Sequence, residues 1–323
     1  MRPRRLCHAL TAATTALVTA AVAAGCSSAT ATTTAGGPEK TSVTVAAVAT
    51  EGAAGLYIAQ EQGLFSKAGL DVTVKTVTSP AAALPALLHG GVDVFVGQYS
   101  TFIQAQAAGV GSFRVLAPGW DLGPRVEAIV VPPHSAVTTV PQLAGKTIAV
   151  NAIGGIDQLF TDEVLSGQSV KPAQVHYVAI PFQAIGAALA ARRVSAAYLT
   201  EPYLTESKQN LGVQVIADPG TGAAHDMPVT GYMVTRAWDQ RYPRTAAAFA
   251  EAIAQGNAEV KQNPAAFRKA MERQLHLAPQ VAGAMAAGSF PNSINAAQLQ
   301  RVADLLYAFG ALKASFNVAG MVK

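Results

Sequence analysis

From Thr41 onward the apolar positions alternate between two spacings. Val43 to Val48 reads as a strand and ends at a loop, Thr50-Glu51-Gly52-Ala53. Leu56, Tyr57, Ala59 and Gln60 then fall at helical spacing, and Gly63 closes that helix. Val72 to Val77 alternates as a second strand. Ser79-Pro80 opens a helix with Leu84, Leu87 and Leu88 on one face, and Val92 to Val96 is the next strand. Strands separated by helices predict α/β units around a sheet rich in parallel strands.

About 102 residues further on the pattern recurs, with Val92 opposite Val194. Thr147 to Val150 runs into a Gly-bearing loop, Asn151 to Gly155, and a helix follows from Ile156 to Leu165. Val175 to Ala179 is strand-like, Pro181-Phe182 opens a helix carrying Ile185, Ala188 and Leu189, and Ala196 to Leu199 is the last strand of the copy. Two such halves predict two lobes. Val126 to Val131 and Val229 to Thr235 read as extended crossings between them, and everything after Trp238 reads as helical. With two crossings, the helical tail must return to the first lobe. The predicted boundaries are residues 41–127 and 230–323 for lobe 1 and 128–229 for lobe 2, with a cleft between them.

The first 40 residues are different. Arg2, Arg4 and Arg5 precede an uncharged stretch from Ala9 to Ala24, which is short for a membrane span and suits a signal peptide. Val22-Ala23-Ala24-Gly25-Cys26 resembles a bacterial lipobox, with Ala23 where Leu is commonest. The expected organisation is a signal peptide over residues 1–25, lipidation at Cys26 and a flexible tether over residues 26–40. Secretion with an incidental cysteine is the alternative. Multiple acyl chains on one cysteine would anchor the protein firmly to a bilayer. This leader also changes the charge argument. The formal charge of +4 falls away with it, because 20 basic residues then face 19 acidic ones. Nothing in that balance points to nucleic acid. The two cysteines, Cys7 and Cys26, both precede the body, so no disulfide framework or cysteine metal site is expected there.

Catalytic motifs are absent from the sequence: there is no HExxH, GxSxG or GxxxxGK[ST]. His225-Asp226 is the one adjacent pair suited to acid/base work, and His89 follows a helix at a Gly-Gly turn. The histidines after His8 show no metal-ligand spacing. No enzyme activity, cofactor or metal is expected.

Four segments then carry a resemblance. GLYIAQEQGLFSKAGLDVTV, ALPALLHGGVDVFVG, LAGKTIAV and LTEPYL, in that order, are similar to the signature elements of the nitrate/sulfonate/taurine and thiamine-precursor substrate-binding proteins of ABC importers. Arg193 and Ser195 depart from the Gly and Asp common in that family's second copy. The resemblance implies a two-lobed, periplasmic-binding-protein-like (type II) α/β fold that closes on a small organic molecule or anion and delivers it to a permease. It further implies a monomer at the outer face of the cytoplasmic membrane. A ligand sensor for a membrane receptor is the alternative, as is an enzyme of the same fold acting on a pyrimidine-like substrate. The enzymes of that kind carry a cysteine-rich motif that this body lacks.

Ligands of open α/β sheets sit at strand C-termini, where helix N-termini present free N–H groups. The candidate ligand-binding residues there are Thr50, Glu51, Tyr57, Ser79, Gln98, Tyr99, Asn151, Gly154, Gly155 and Glu201. Trp120, Asp121, Tyr203 and Tyr232 join them from strand ends and the second crossing. Gly154-Gly155 either admits a ligand or makes a plain turn, and Trp120 either stacks on a planar ligand or plugs the core. Glu51, Asp121 and Glu201 in these loops favour a neutral or positively charged heteroaromatic ligand over nitrate or sulfonate.

Overall fold

The computed structural model describes residues 36–322; the predicted signal peptide, Cys26 and most of the tether lie outside them. Among the described residues, ten strands form two five-stranded sheets. The strands are β1 (Ser42–Val48), β2 (Asp71–Val77), β3 (Val94–Gln98), β4 (Phe113–Asp121), β5 (Glu127–Val131), β6 (Thr147–Val150), β7 (His176–Ala179), β8 (Ala196–Thr200), β9 (Gln214–Ala217) and β10 (Pro228–Thr235). The first sheet has the order β2-β1-β3-β10-β4 and the second β7-β6-β8-β5-β9.

The two orders are the same pattern. β1 pairs in parallel with β2 and β3, as β6 does with β7 and β8. The antiparallel strand occupies the same place in each sheet, β10 between β3 and β4, and β5 between β8 and β9. Central strands such as β5 (EAIVV) and β8 (AAYLT) are buried at every position. That is the near-continuous apolar reading expected where both sheet faces are covered. β2 alternates because it is an edge, with Val72 buried between exposed neighbours.

Two readings need correction. The stretches Val126 to Val131 and Val229 to Thr235 are strands within the sheets, so the chain passes between lobes just before them, at residues 122–126 and 218–227. These two passages pair with each other: Leu122 N donates to Met227 O at 2.9 Å, and Asp226 N donates to Leu122 O at 3.0 Å. The last tether residues belong to the folded body. Lys40 Nζ lies 2.5 Å from Asp93 Oδ1, and Glu39 accepts from the amides of Arg244 and Thr245.

The helical tail packs on the first sheet. Helix Ala54–Glu61 crosses helix Pro243–Gln262, and helix Ala296–Ala308 packs on helix Tyr99–Ala107. Pro is the first residue of helices Pro243–Gln262, Pro264–Leu275 and Pro279–Ala284, where its missing N–H costs nothing. β4 continues through Pro118 and Gly119 to Asp121 because register shifts against β10 absorb those two residues. Asn257 Nδ2 then takes the Pro118 carbonyl at 3.0 Å.

Candidate functional site

The carboxyl ends of the parallel strands in both sheets meet the first residues of β10 and β5. A cavity lies there, lined by Thr50, Gln98, Trp120 and Thr230 of the first lobe and Glu127, Asn151, Phe182 and Thr200 of the second. Its free volume is about 30 Å³, room for a water or two. The lobes are drawn together around it by direct hydrogen bonds. Thr200 Oγ1 donates to Glu51 Oε1 at 2.6 Å, Tyr203 OH to Ala49 O at 3.0 Å, and Gln104 Nε2 to Gly154 O at 2.7 Å.

Register explains the placement. Thr230 sits opposite Gln98 on one side and Trp120 on the other, which brings three lining residues to one sheet edge. Glu127 sits opposite Thr200, with Tyr198 on the diagonal, and the Tyr198 hydroxyl donates to Glu127 Oε2. Trp120 is held by small neighbours, since a Cβ on Gly52 would lie 2.9 Å from its Nε1 and one on Gly288 2.5 Å from its ring. Packing and cavity lining are therefore one role for this indole.

Of the sequence candidates, Thr50, Gln98, Trp120 and Asn151 line the cavity. Glu51 is buried beside it on Thr200. Glu201 follows the same strand, in a cis peptide with Pro202, and holds Thr205 through both its N–H and its hydroxyl. Gly154 and Gly155 form the turn into helix Ile156–Gly167, latched by Gln104. Ser79 precedes the lining residue Pro80. Asp121 ends β4 and pairs its backbone with Ser289. Three tyrosines are packing residues. Tyr57 is buried in its helix, Tyr99 covers Gly231, and the Tyr232 hydroxyl accepts from Leu56 N at 3.1 Å. His225 and Asp226 pair at 3.1 Å on the second passage, both about half exposed and away from the lining.

Phe182 and Thr200 stand in loops that strand C-termini predict for a ligand, whereas Glu127 and Thr230 are not expected from the sequence. The signal for Glu127 was present: one carboxylate opens an otherwise apolar strand. Thr230 gave none, because its position depends on β10 inserting between β3 and β4.

The electrostatics are acidic. Burial is the first cause in each case. It raises Glu51 well above the usual carboxylate range, Glu127 to about 8 and Asp157 to about 6. Asp121 rises to about 7 through burial and then repulsion from Asp226. Among the described residues the lining holds no Lys or Arg. Four amides near the cavity are already taken by side chains. Asp157 accepts from Asn151 N and Ala152 N, Gln98 Oε1 from Ile156 N at 3.2 Å, and Glu201 from Thr205 N at 3.1 Å. Asn151 Nδ2 and Thr230 Oγ1 are buried without a protein partner.

These features define a two-lobed α/β fold with a cavity between the lobes. Solved structures share it. The alkanesulfonate-binding protein SsuA of Xanthomonas axonopodis pv. citri superposes with a TM-score of 0.77 at 21% identity, over 88% of this chain and 99% of that one. The periplasmic nitrate-binding protein NrtA of Synechocystis PCC 6803 gives 0.74 at 16% identity, over 87% and 84%. The fold is thus that of the periplasmic binding proteins. Residues 51–267 match the NMT1/THI5-like family, and the chain belongs to it. YtlA of Bacillus subtilis, whose name marks it as a candidate binding protein, is 27% identical over 207 residues, covering 61% of this chain and 59% of its own.

Proposed function

We propose that the chain is an extracytoplasmic solute receptor that captures a small organic molecule between its lobes and hands it to an ABC importer. The observation that carries this reading is the cavity itself. It is built from both lobes, at the switch between two sheets whose strands end there, in a fold shared with solute-binding proteins. The lipobox-like segment supports anchoring through acylated Cys26 at the outer face of the cytoplasmic membrane. A monomer suffices, because one chain supplies both sides of the site.

The lining favours a planar ligand, neutral or positively charged, that donates hydrogen bonds. Trp120 and Phe182 offer aromatic surface, Glu127 and the threonines offer acceptors, and the lining holds no Lys or Arg among the described residues. A calorimetric panel of aminopyrimidines, aromatic amines, nitrate and alkanesulfonates tests this. Binding among the first two groups is expected, and a ligand at 100 times its Kd should stabilise the protein by about 2.7 kcal/mol. Tight binding confined to nitrate or sulfonates would overturn the ligand class. Unchanged solute uptake after gene deletion would overturn the importer role.

A further inference from the structure

Asn151 and Thr200 stand side by side on the second lobe's face of the cavity. Asn151 follows β6 and Thr200 ends β8, and these parallel strands are direct neighbours, about 4.8 Å apart. The two side chains offer opposite halves of a hydrogen bond. The Thr200 hydroxyl gives its one proton to Glu51 Oε1 at 2.6 Å, which leaves it able only to accept. Asn151 Nδ2 is a donor, buried without a partner among the described residues, on a residue only 5% exposed. Its main chain is pinned, because Asp157 Oδ2 accepts from Asn151 N and also from Ala152 N at 3.3 Å. Thr230 of the first lobe brings a further buried hydroxyl without a partner, held by strand pairing to Gln98 and Trp120. That hydroxyl can turn to give or to accept.

We propose that Asn151 sets the ligand specificity of the cleft by selecting an uncharged group with an acceptor and a donor on one edge, the pattern of a carboxamide or lactam. The proposal rests on the receptor reading above, since it takes the cavity as the place where a solute sits. The ligand carbonyl accepts from Asn151 Nδ2 while its N–H donates to Thr200 Oγ1. Such a group enters while the lobes are apart, because the free volume between them here is about 30 Å³. Charged analogues each meet a defect. An ammonium satisfies Thr200 but leaves Asn151 Nδ2 buried and unpaired. A carboxylate pairs with Asn151 but has no hydrogen for Thr200, and it lies beside the Glu51 and Glu127 acids with no Lys or Arg among the described lining residues. Leaving a buried donor unpaired costs more than an average hydrogen bond gains, so one side chain can discriminate strongly.

Titration calorimetry of the full chain with benzamide, benzylamine and benzoate tests this, because the three carry the same ring and differ in the attached group. Benzamide should bind at least about tenfold more tightly than either of the others. Asn151→Leu, close in size and without a donor, should lose that advantage. Asn151→Asp keeps the shape and replaces the donor with an acceptor, so it should move the preference from benzamide to benzylamine. A residue that serves only the fold would not produce that reversal, and Asn151→Asp stands in should Asn151→Leu fail to fold. Benzylamine or benzoate binding as tightly as benzamide, a benzamide advantage that survives in a folded variant, or no binding of any of the three would overturn the proposal. The receptor reading is tested separately by solute uptake after gene deletion, so the two can fail independently.

Discussion

At the residue scale, the site concentrates polar atoms that the fold leaves without partners. Thr230 Oγ1 is one, buried in the cavity wall. Thr230→Val removes an unsatisfied buried hydroxyl of nearly the same shape, so the melting temperature should hold or rise. Affinity for the ligand should fall about tenfold if the hydroxyl is used in binding; calorimetry and thermal melting together separate the two effects. Glu127 makes the opposite case. Its acid is raised from an ordinary 4.5 to about 8, so between those values the folded chain holds a proton that the unfolded chain has released. Stability from this group is full below pH 4.5 and is lost as pH rises towards 8. Denaturant titrations between pH 5 and 8.5 should show that decline, with a shallower slope in Glu127→Gln.

At the scale of elements, much of the architecture was legible in the chain. The strand-helix alternation, the repeat and the helical tail follow from spacing alone, because buried parallel strands and amphipathic helices each leave a periodic trace. β10 and β5 did not announce their roles. Both are apolar runs, and only pairing shows that each inserts as the antiparallel strand of a sheet. The candidate site followed the same division. Residues at strand C-termini, such as Thr50, Gln98 and Asn151, were predictable from fold class, whereas Tyr99 and Tyr232 lie in the same region of sequence yet point into packing. No periodicity tells those apart. The crossing of helices Ala54–Glu61 and Pro243–Gln262 gives a sharper prediction. A Cβ on Gly256 would lie 2.2 Å from Gly55 O, backbone against backbone. Gly256→Ala must therefore push the crossing helices away from each other, and a loss of about 1–3 kcal/mol is expected in urea unfolding.

At the scale of the whole molecule, the chain runs between the lobes only at the paired passages, residues 122–126 and 218–227, and the receptor reading proposed above makes them the joint about which the lobes turn. A Cβ on Gly220 would lie 2.1 Å from Gly123 O, so the two passages touch at glycine. Gly220→Val should wedge the joint and shift the population of open and closed forms. Small-angle scattering should then give a radius of gyration that differs from wild type and no longer contracts with saturating ligand. The same joint has a consequence for inheritance. Leu122 and Met227 are hydrogen-bonded neighbours, so the gene enters and leaves the second lobe at a single point in space. All five strands of that lobe's sheet lie between those residues. The intervening stretch is a cassette: it can be cut out and replaced by a hairpin turn, or exchanged for the corresponding stretch of a relative, without rethreading the first lobe. The lining residues Glu127, Asn151, Phe182 and Thr200 would travel with it, giving recombination a route to a new ligand in one step.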